Sequence, residues 1–368
     1  FLEKADQARE CFAKALQGPL SQERRGHCLL NAAMAYMLNP VDLKQALQCF
    51  KEACTLDTAY VQEVQQVGAY FFQLRNYLVA EPFFRLALHH ADEAETRFTL
   101  HLKLANCYER LCYLQSALDH YQEALAIRPD RWLLEIQAGF LLPIIYETPE
   151  SIFAWRDRFA LSLHAFLARS EAAGFPRSVQ SLEIYAPPFL LAYQGLNHKK
   201  LLALLSQFWR EILHLPALPP DALQRQPAKR KAPRRKIAFL SSFLFKHSVT
   251  GAYLGLVETW AQRDDIELLF FSVGQLSDDT ITAYLRSVGS YHLLDPNTPL
   301  VEMARQVLKA APDILLYPEI GSDPLTYFLA HARLAPVQAA MYGHPATTGI
   351  STIDYFLSPG CTELPTAQ

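Results

Sequence analysis

Two spacings of apolar residues divide the chain. Up to about His214 they recur at i, i+3, i+4 and i+7, as in SIFAWRDRFALSLHAFLARS (151–170) and KKLLALLSQFWREIL (199–213). That period predicts amphipathic helices. From Lys236 onward the grammar changes. Short apolar runs such as KIAFLSSF, IELLFFSVG, SYHLLD, DILLYPEIG, PVQAAMYGH and TIDYFLSP alternate with helical stretches at 253–262, DTITAYLRSVG, LVEMARQVLKAA and PLTYFLAHARL. Strand and helix in alternation predict a parallel sheet with crossover helices, a Rossmann-like layer. No GxGxxG follows the first strand, so a dinucleotide site of the usual kind is not supported.

The first 130 residues carry a repeat. Ala8-x3-Phe12-x2-Ala15 returns as Ala46/Phe50/Ala53, Ala80/Phe84/Ala87 and Ala117/Tyr121/Ala124, at intervals of 38, 34 and 37 residues. Gly68 and Ala105 stand twelve residues before Ala80 and Ala117, with Phe71 and Tyr108 three residues further on. Small residues where helices touch and an aromatic that fills the next gap resemble the tetratricopeptide repeat. Such an array is either a groove for a protein or peptide partner or a rigid spacer. The fold class expected is therefore α+α/β, an α-solenoid followed by a Rossmann-like lobe. Its parts are repeats over 1–130, a helical extension over 131–214, a Pro-rich and basic linker over 215–235, and the lobe over 236–368.

Composition narrows the partners. Apolar content of 51% and charged content of 19% are those of a core-forming globular chain. The net charge of −3 favours neither nucleic acid nor an anionic membrane. Six basic residues within 229–236 read as a solvated linker, so no nucleic-acid partner is expected. The longest apolar stretch, near 133–146, is broken by Glu135, Gln137 and Pro143, too interrupted to span a bilayer. The seven cysteines include no CxxC pair and read as small apolar residues in a reduced chain. The expected compartment is the cytoplasm.

Chemistry gathers in three loops at predicted strand ends, where open α/β sheets bind ligands. SSFLFKHSVTG brings Ser241, Ser242, Lys246, His247 and Ser248 to the end of the first strand. His247 there is either a proton-transfer or hydrogen-bonding group or an idle surface histidine. Tyr317-Pro318-Glu319-Ile320-Gly321 ends another strand. Asp323 reads as the N-cap of the helix that begins near Pro324, while Glu319 is open between orienting a sugar hydroxyl and a structural role. GHPATTG (343–349) joins Gly343 and Gly349 to His344, Thr347 and Thr348. Its hydroxyls and backbone N–H groups suit an anion.

Arg333-Leu334-Ala335-Pro336-Val337-Gln338, then GHPATTG and Ile353-Asp354-Tyr355, resemble the catalytic region of glycosyltransferase family 41. That family includes O-GlcNAc transferases, SPINDLY-type enzymes and bacterial N-glycosyltransferases. The resemblance spans about 236–358 and implies the N-terminal half of a GT-B catalytic region behind a tetratricopeptide array. It implies an inverting transfer of GlcNAc or a hexose from a UDP-sugar to a protein acceptor, with no cofactor and no metal. His247 matches the family's active-site histidine. His344 is the second catalytic candidate, and Tyr317, Glu319, Gly343, Thr347 and Thr348 are the substrate-binding candidates. GHPATTG shares its histidine with the N-glycosyltransferases' GHPATTH and its final glycine with the O-GlcNAc transferases' GYPGT(S/T)G, so the linkage stays open. The second lobe, which supplies most donor contacts, is absent from these 368 residues, so this chain alone is expected to be inactive. The alternative is a tetratricopeptide interaction scaffold with a relic lobe.

Overall fold

The structure, a computed structural model, describes residues 2–38, 41–171, 188–219, 234–274, 277–344 and 346–363. Of the expected linker, 220–233 and with them part of the basic cluster lie outside the described residues. The chain forms two compact units, Phe1–Ala138 with Pro143–Ile145, and Gly139–Leu142 with Tyr146–Gln368.

The first unit is a series of antiparallel helices: α1 (Leu2–Gln17), α2 (Gln22–Tyr36), α3 (Leu43–Leu56), α4 (Val61–Gln73), α5 (Tyr77–His90), α6 (Ala94–Arg110), α7 (Leu114–Ile127) and most of α8 (Trp132–Gly139). The repeated small residues are what let neighbours approach. Ala46, Ala53, Ala80, Ala87, Ala117 and Ala124 are all completely buried, as are Phe50, Phe84 and Tyr121. Gly68 lies against Phe84, where a Cβ would come within 2.8 Å of the ring. The aromatics three residues on join helices as the repeat requires. Phe71 stacks on Phe83 (6.2 Å between centroids), and Tyr108 Oη donates to Glu81 Oε1 at 2.6 Å. Cys49, Cys54 and Cys107 are free and buried, and burial pushes their thiols up to about 11, 11 and 12.

The second unit contains α9 (Pro149–Glu171), a 3-10 turn (Pro188–Gln194), α10 (Lys199–Leu213) and the α/β layer. The extension expected over 131–214 thus divides, with α8 largely among the repeats and α9 and α10 in the unit that holds the sheet. The strands are β1 (Arg235–Ser241), β2 (Ile266–Val273), β3 (Ser290–Leu294), β4 (Ile314–Tyr317), β5 (Val337–Met341) and β6 (Tyr355–Leu357). Between them run α11 (Ser248–Ala261), α12 (Thr280–Val288), α13 (Leu300–Ala310) and α14 (Pro324–Leu329).

All strand pairs are parallel, in the order β3-β2-β1-β4-β5-β6. This is the doubly wound arrangement, and its direction of winding reverses between β1 and β4. β1 pairs with both β2 and β4, so Ile237 to Ser241 are all buried, as a central parallel strand requires. Phe239 stacks on Phe270 (5.7 Å) and on Tyr253 of α11 (5.2 Å), fixing that helix over the sheet. One boundary departs from the sequence reading: α11 begins at Ser248, five residues before the expected start at 253. Its cap is His247 itself.

Candidate functional site

The crevice at a reversal of winding opens at the carboxyl ends of the two strands that flank it. Here those ends carry the 242–247 loop after β1 and the 318–323 loop after β4, with the 343–349 turn after β5 beside them. The three loops singled out in the sequence therefore meet on one edge of the sheet. Asp313, by contrast, accepts the Lys236 N–H (2.9 Å) at the start of β1, on the opposite edge.

His247 is exposed and extended (φ −145°), and its Nδ1 accepts the Val249 N–H at 3.2 Å. In the neutral ring the proton is then on Nε2. The imidazole lies flat on Phe243, 4.3 Å between centroids, which fixes its plane. The loop is held at both ends by carboxyls. Glu319 Oε1 accepts the Ser242 N–H (2.9 Å), and Asp279 Oδ2 accepts the Lys246 N–H (2.8 Å). Asp279 also caps α12, accepting from Ile281 N, Thr282 N and Ser277 Oγ. Burial is the largest single influence and raises its carboxyl, but the bonds from Lys246, Thr282, Ser277 and Ile281 together hold it down at about 2.

His344 is only 6% exposed. Its Nδ1 accepts the Ala346 N–H (3.3 Å), its ring meets Phe189 at 5.2 Å, and Nε2 is buried without a partner. Burial lowers its proton affinity, so the ring is neutral near pH 7. No hydrogen bond or ring contact joins His247 to His344 among the described residues.

Gly343 donates its N–H to Pro318 O at 2.9 Å, and a Cβ there would come within 2.4 Å of that oxygen. Gly349 has φ +65°, and its Cβ would come within 2.5 Å of Leu202 on α10. Both glycines are required by close backbone approach. Thr348 Oγ1 accepts the Ile350 N–H (3.2 Å) and so closes the turn. Thr347 is exposed and lines a cavity of about 300 Å³ with Ala192, Leu196, Asn197, His198 and Ala346.

Tyr317 and Glu319 depart from the expected contact with substrate. Tyr317 is completely buried and Glu319 is 1% exposed, so neither side chain reaches the crevice. Desolvation raises both acids, Glu319 to about 8. Asp323 is the N-cap expected of it, accepting the Thr326 N–H at 2.9 Å. Asp279 was missed as part of the site. Its capping role was readable from the Ser-Asp-Asp before TITAYL, but its bond to Lys246 crosses 33 residues and has no local signal.

Residues 98–131, which span α6 and α7, match the tetratricopeptide repeat family. Two curated relatives match at sequence level: UDP-glucose:protein N-beta-glucosyltransferase from Actinobacillus pleuropneumoniae serotype 5b (strain L20) and from serotype 7 (strain AP76). Each is 34% identical over 91 residues, 24% of this chain and 15% of the relative's own length. Among solved structures, an O-GlcNAc transferase mutant of Thermobaculum terrenum aligns at a TM-score of 0.45 and 19% identity, over 92% of this chain and 54% of that one. The chain carries a tetratricopeptide repeat and, over a 91-residue stretch, is similar to these protein glucosyltransferases, of whose length it spans about 15%. No helix among the described residues is long and apolar enough to cross a membrane.

Proposed function

We propose that this chain supplies the repeats and the N-terminal catalytic lobe of an inverting glycosyltransferase. The enzyme moves GlcNAc or a hexose from a UDP-sugar to protein side chains presented by the repeats, in the cytoplasm. One observation carries the reading: the His247 loop and the 343–349 turn are both tied to the loop after β4, which borders the crevice where the sheet reverses, through Ser242 N–H to Glu319 and Gly343 N–H to Pro318 O. The sequence relatives, which are named for transfer from UDP-glucose to protein, support it.

In such a transfer an acceptor oxygen or nitrogen attacks the anomeric carbon. The bond to UDP breaks, the acceptor's proton leaves to the departing diphosphate or to solvent, and the diphosphate gathers negative charge that preorganised donors stabilise. Because its Nδ1 is engaged by Val249, His247 offers Nε2–H outward, a donor to the sugar or diphosphate. Thr347 and the backbone of the turn line the acceptor side. The donor contacts of a second lobe complete the cleft, so these residues alone transfer sugar poorly.

The test is calorimetric titration of UDP, UDP-glucose and UDP-GlcNAc into the full-length protein, with transfer to Ser/Thr and Asn peptides read by mass spectrometry. His247→Ala is expected to lower transfer at least tenfold with the fold intact; unaltered transfer removes His247 from the site. A protein that retains peptide but binds no UDP-sugar is the interaction scaffold instead.

A further inference from the structure

Glu319 is a buried carboxyl with one satisfied oxygen. Oε1 accepts the Ser242 N–H at 2.9 Å, while Oε2 is sealed from solvent and has no partner. Among the described residues no basic side chain pairs with it. What faces it is Ser241 and Ser242 from the end of β1, Tyr253 from α11, and Asp323, whose carboxylate repels a second charge. The residue before it makes the other loop contact: Pro318 O accepts the Gly343 N–H at 2.9 Å, and a Cβ on Gly343 would lie 3.2 Å from the Cβ of Glu319. Glu319 thus holds the first loop through its carboxyl, and its Cβ packs beside Gly343 at the point where the peptide it shares with Pro318 holds the second.

We propose that Glu319 is a positioning residue, a buried carboxyl that registers the His247 loop against the 343–349 turn without touching substrate. The role rests on the reading of these loops as the reactive edge. A neutral carboxyl accepts the Ser242 N–H without placing a charge in the sheet's interior. An ionised one, with no cation beside it and Asp323 nearby, is driven toward water, and the nearest water lies past the loops it holds. Loss of its proton therefore loosens both loops together. His344 and Tyr253 do not confuse this step, because burial keeps His344 neutral and holds the Tyr253 proton on.

Hydrogen exchange on the full chain, without ligand, tests this. After correction for intrinsic exchange, protection over 242–249 and 343–349 is expected to fall together, by about tenfold, between pH 7 and pH 9.5, while β3 and α13 stay unchanged. Glu319→Gln keeps the acceptor and cannot ionise, so both loops should stay protected at both pH values. Glu319→Ala should loosen both already at pH 7. The proposal fails if Glu319→Gln loses protection as wild type does, or if the two loops loosen independently in wild type. Should the alanine variant not fold, the glutamine comparison decides alone. Coupled loops in a full-length protein that transfers no sugar would leave Glu319's role standing and overturn the transferase reading instead.

Discussion

Gln338 is the second residue of the parallel strand β5, its side chain is completely buried, and its amide is fully used. Oε1 accepts from Leu334 N (2.7 Å) and Ala335 N (3.3 Å), while Nε2 donates to Ala332 O (3.2 Å) and Thr352 O (3.0 Å). Beside it, Arg333 forms a two-pronged pair with Asp354 (2.6 and 3.0 Å), whose Oδ2 also accepts the Gln338 N–H. These are residues of the segments that carried the family resemblance. Their work in this structure is to hold the entry to β5 against the entry to β6, so that the 343–349 turn between those strands starts and ends at fixed points. The motif was legible as a signature, but its physics was not, because a Gln in a strand is expected to face water. Gln338→Leu keeps the volume and leaves four backbone groups unpaired, at roughly 1–3 kcal/mol for each group that stays dry. Allowing for relaxation, a loss of about 3–5 kcal/mol is expected in urea unfolding. A loss under about 1 kcal/mol would mean that water reaches the site and that the network is not what sets the turn.

At the scale of elements, the alternation of strands and helices after Lys236 was readable because it depends on local period. The helix starts were readable where a standard cap announced them, as Asp279 and Asp323 did. The start of α11 was not, since histidine is a rare cap and the apolar pattern begins only further along the helix. What holds the loop before it is equally non-local, with Glu319 77 residues away at Ser242 and Asp279 33 residues away at Lys246. Asp279 does two tasks with one carboxylate, so Asp279→Ala should cost about 1–2 kcal/mol through the lost cap and should also free the His247 loop. In the folded protein its carboxyl is held down at about 2, below the ordinary aspartate value of 3.8. The stability it contributes is therefore complete above about pH 4 and lost as pH falls from there toward 2. Asp279→Asn retains an acceptor for the cap but not the charge. Thermal melts from pH 5 down to pH 2 should show a shallower acid loss in Asp279→Asn than in wild type; parallel curves would contradict the assignment.

For the whole molecule, the division into units changes where the stable α/β unit begins. Change of pattern at Lys236 marks the first strand, yet the core of that unit reaches back to Gly139. Phe140 packs on Phe159 of α9 (4.8 Å) and on Phe208 and Trp209 of α10, and Trp209 in turn meets Phe328 of α14 at 4.9 Å. Arg210 donates to Ser351 Oγ (2.8 Å), Phe189 covers His344, and Leu202 lies against Gly349. The helices that read as an extension of the repeats are thus the wall against which the glycine-rich turn is built. Sequence period could show that α10 is amphipathic, but not that its apolar face is shared between α9 and α14, because the partners lie more than a hundred residues apart. A fragment of residues 139–368 should accordingly melt in one cooperative transition, with near-ultraviolet dichroism from Trp209 retained. A fragment of residues 236–368 strips the cover from Phe328, His344 and Gly349, exposing a contiguous apolar surface, and should be expanded or aggregated under the same conditions. If the shorter fragment instead melts as sharply as the longer one, α9 and α10 are accessories to the lobe, and the turn's conformation is set by the sheet alone.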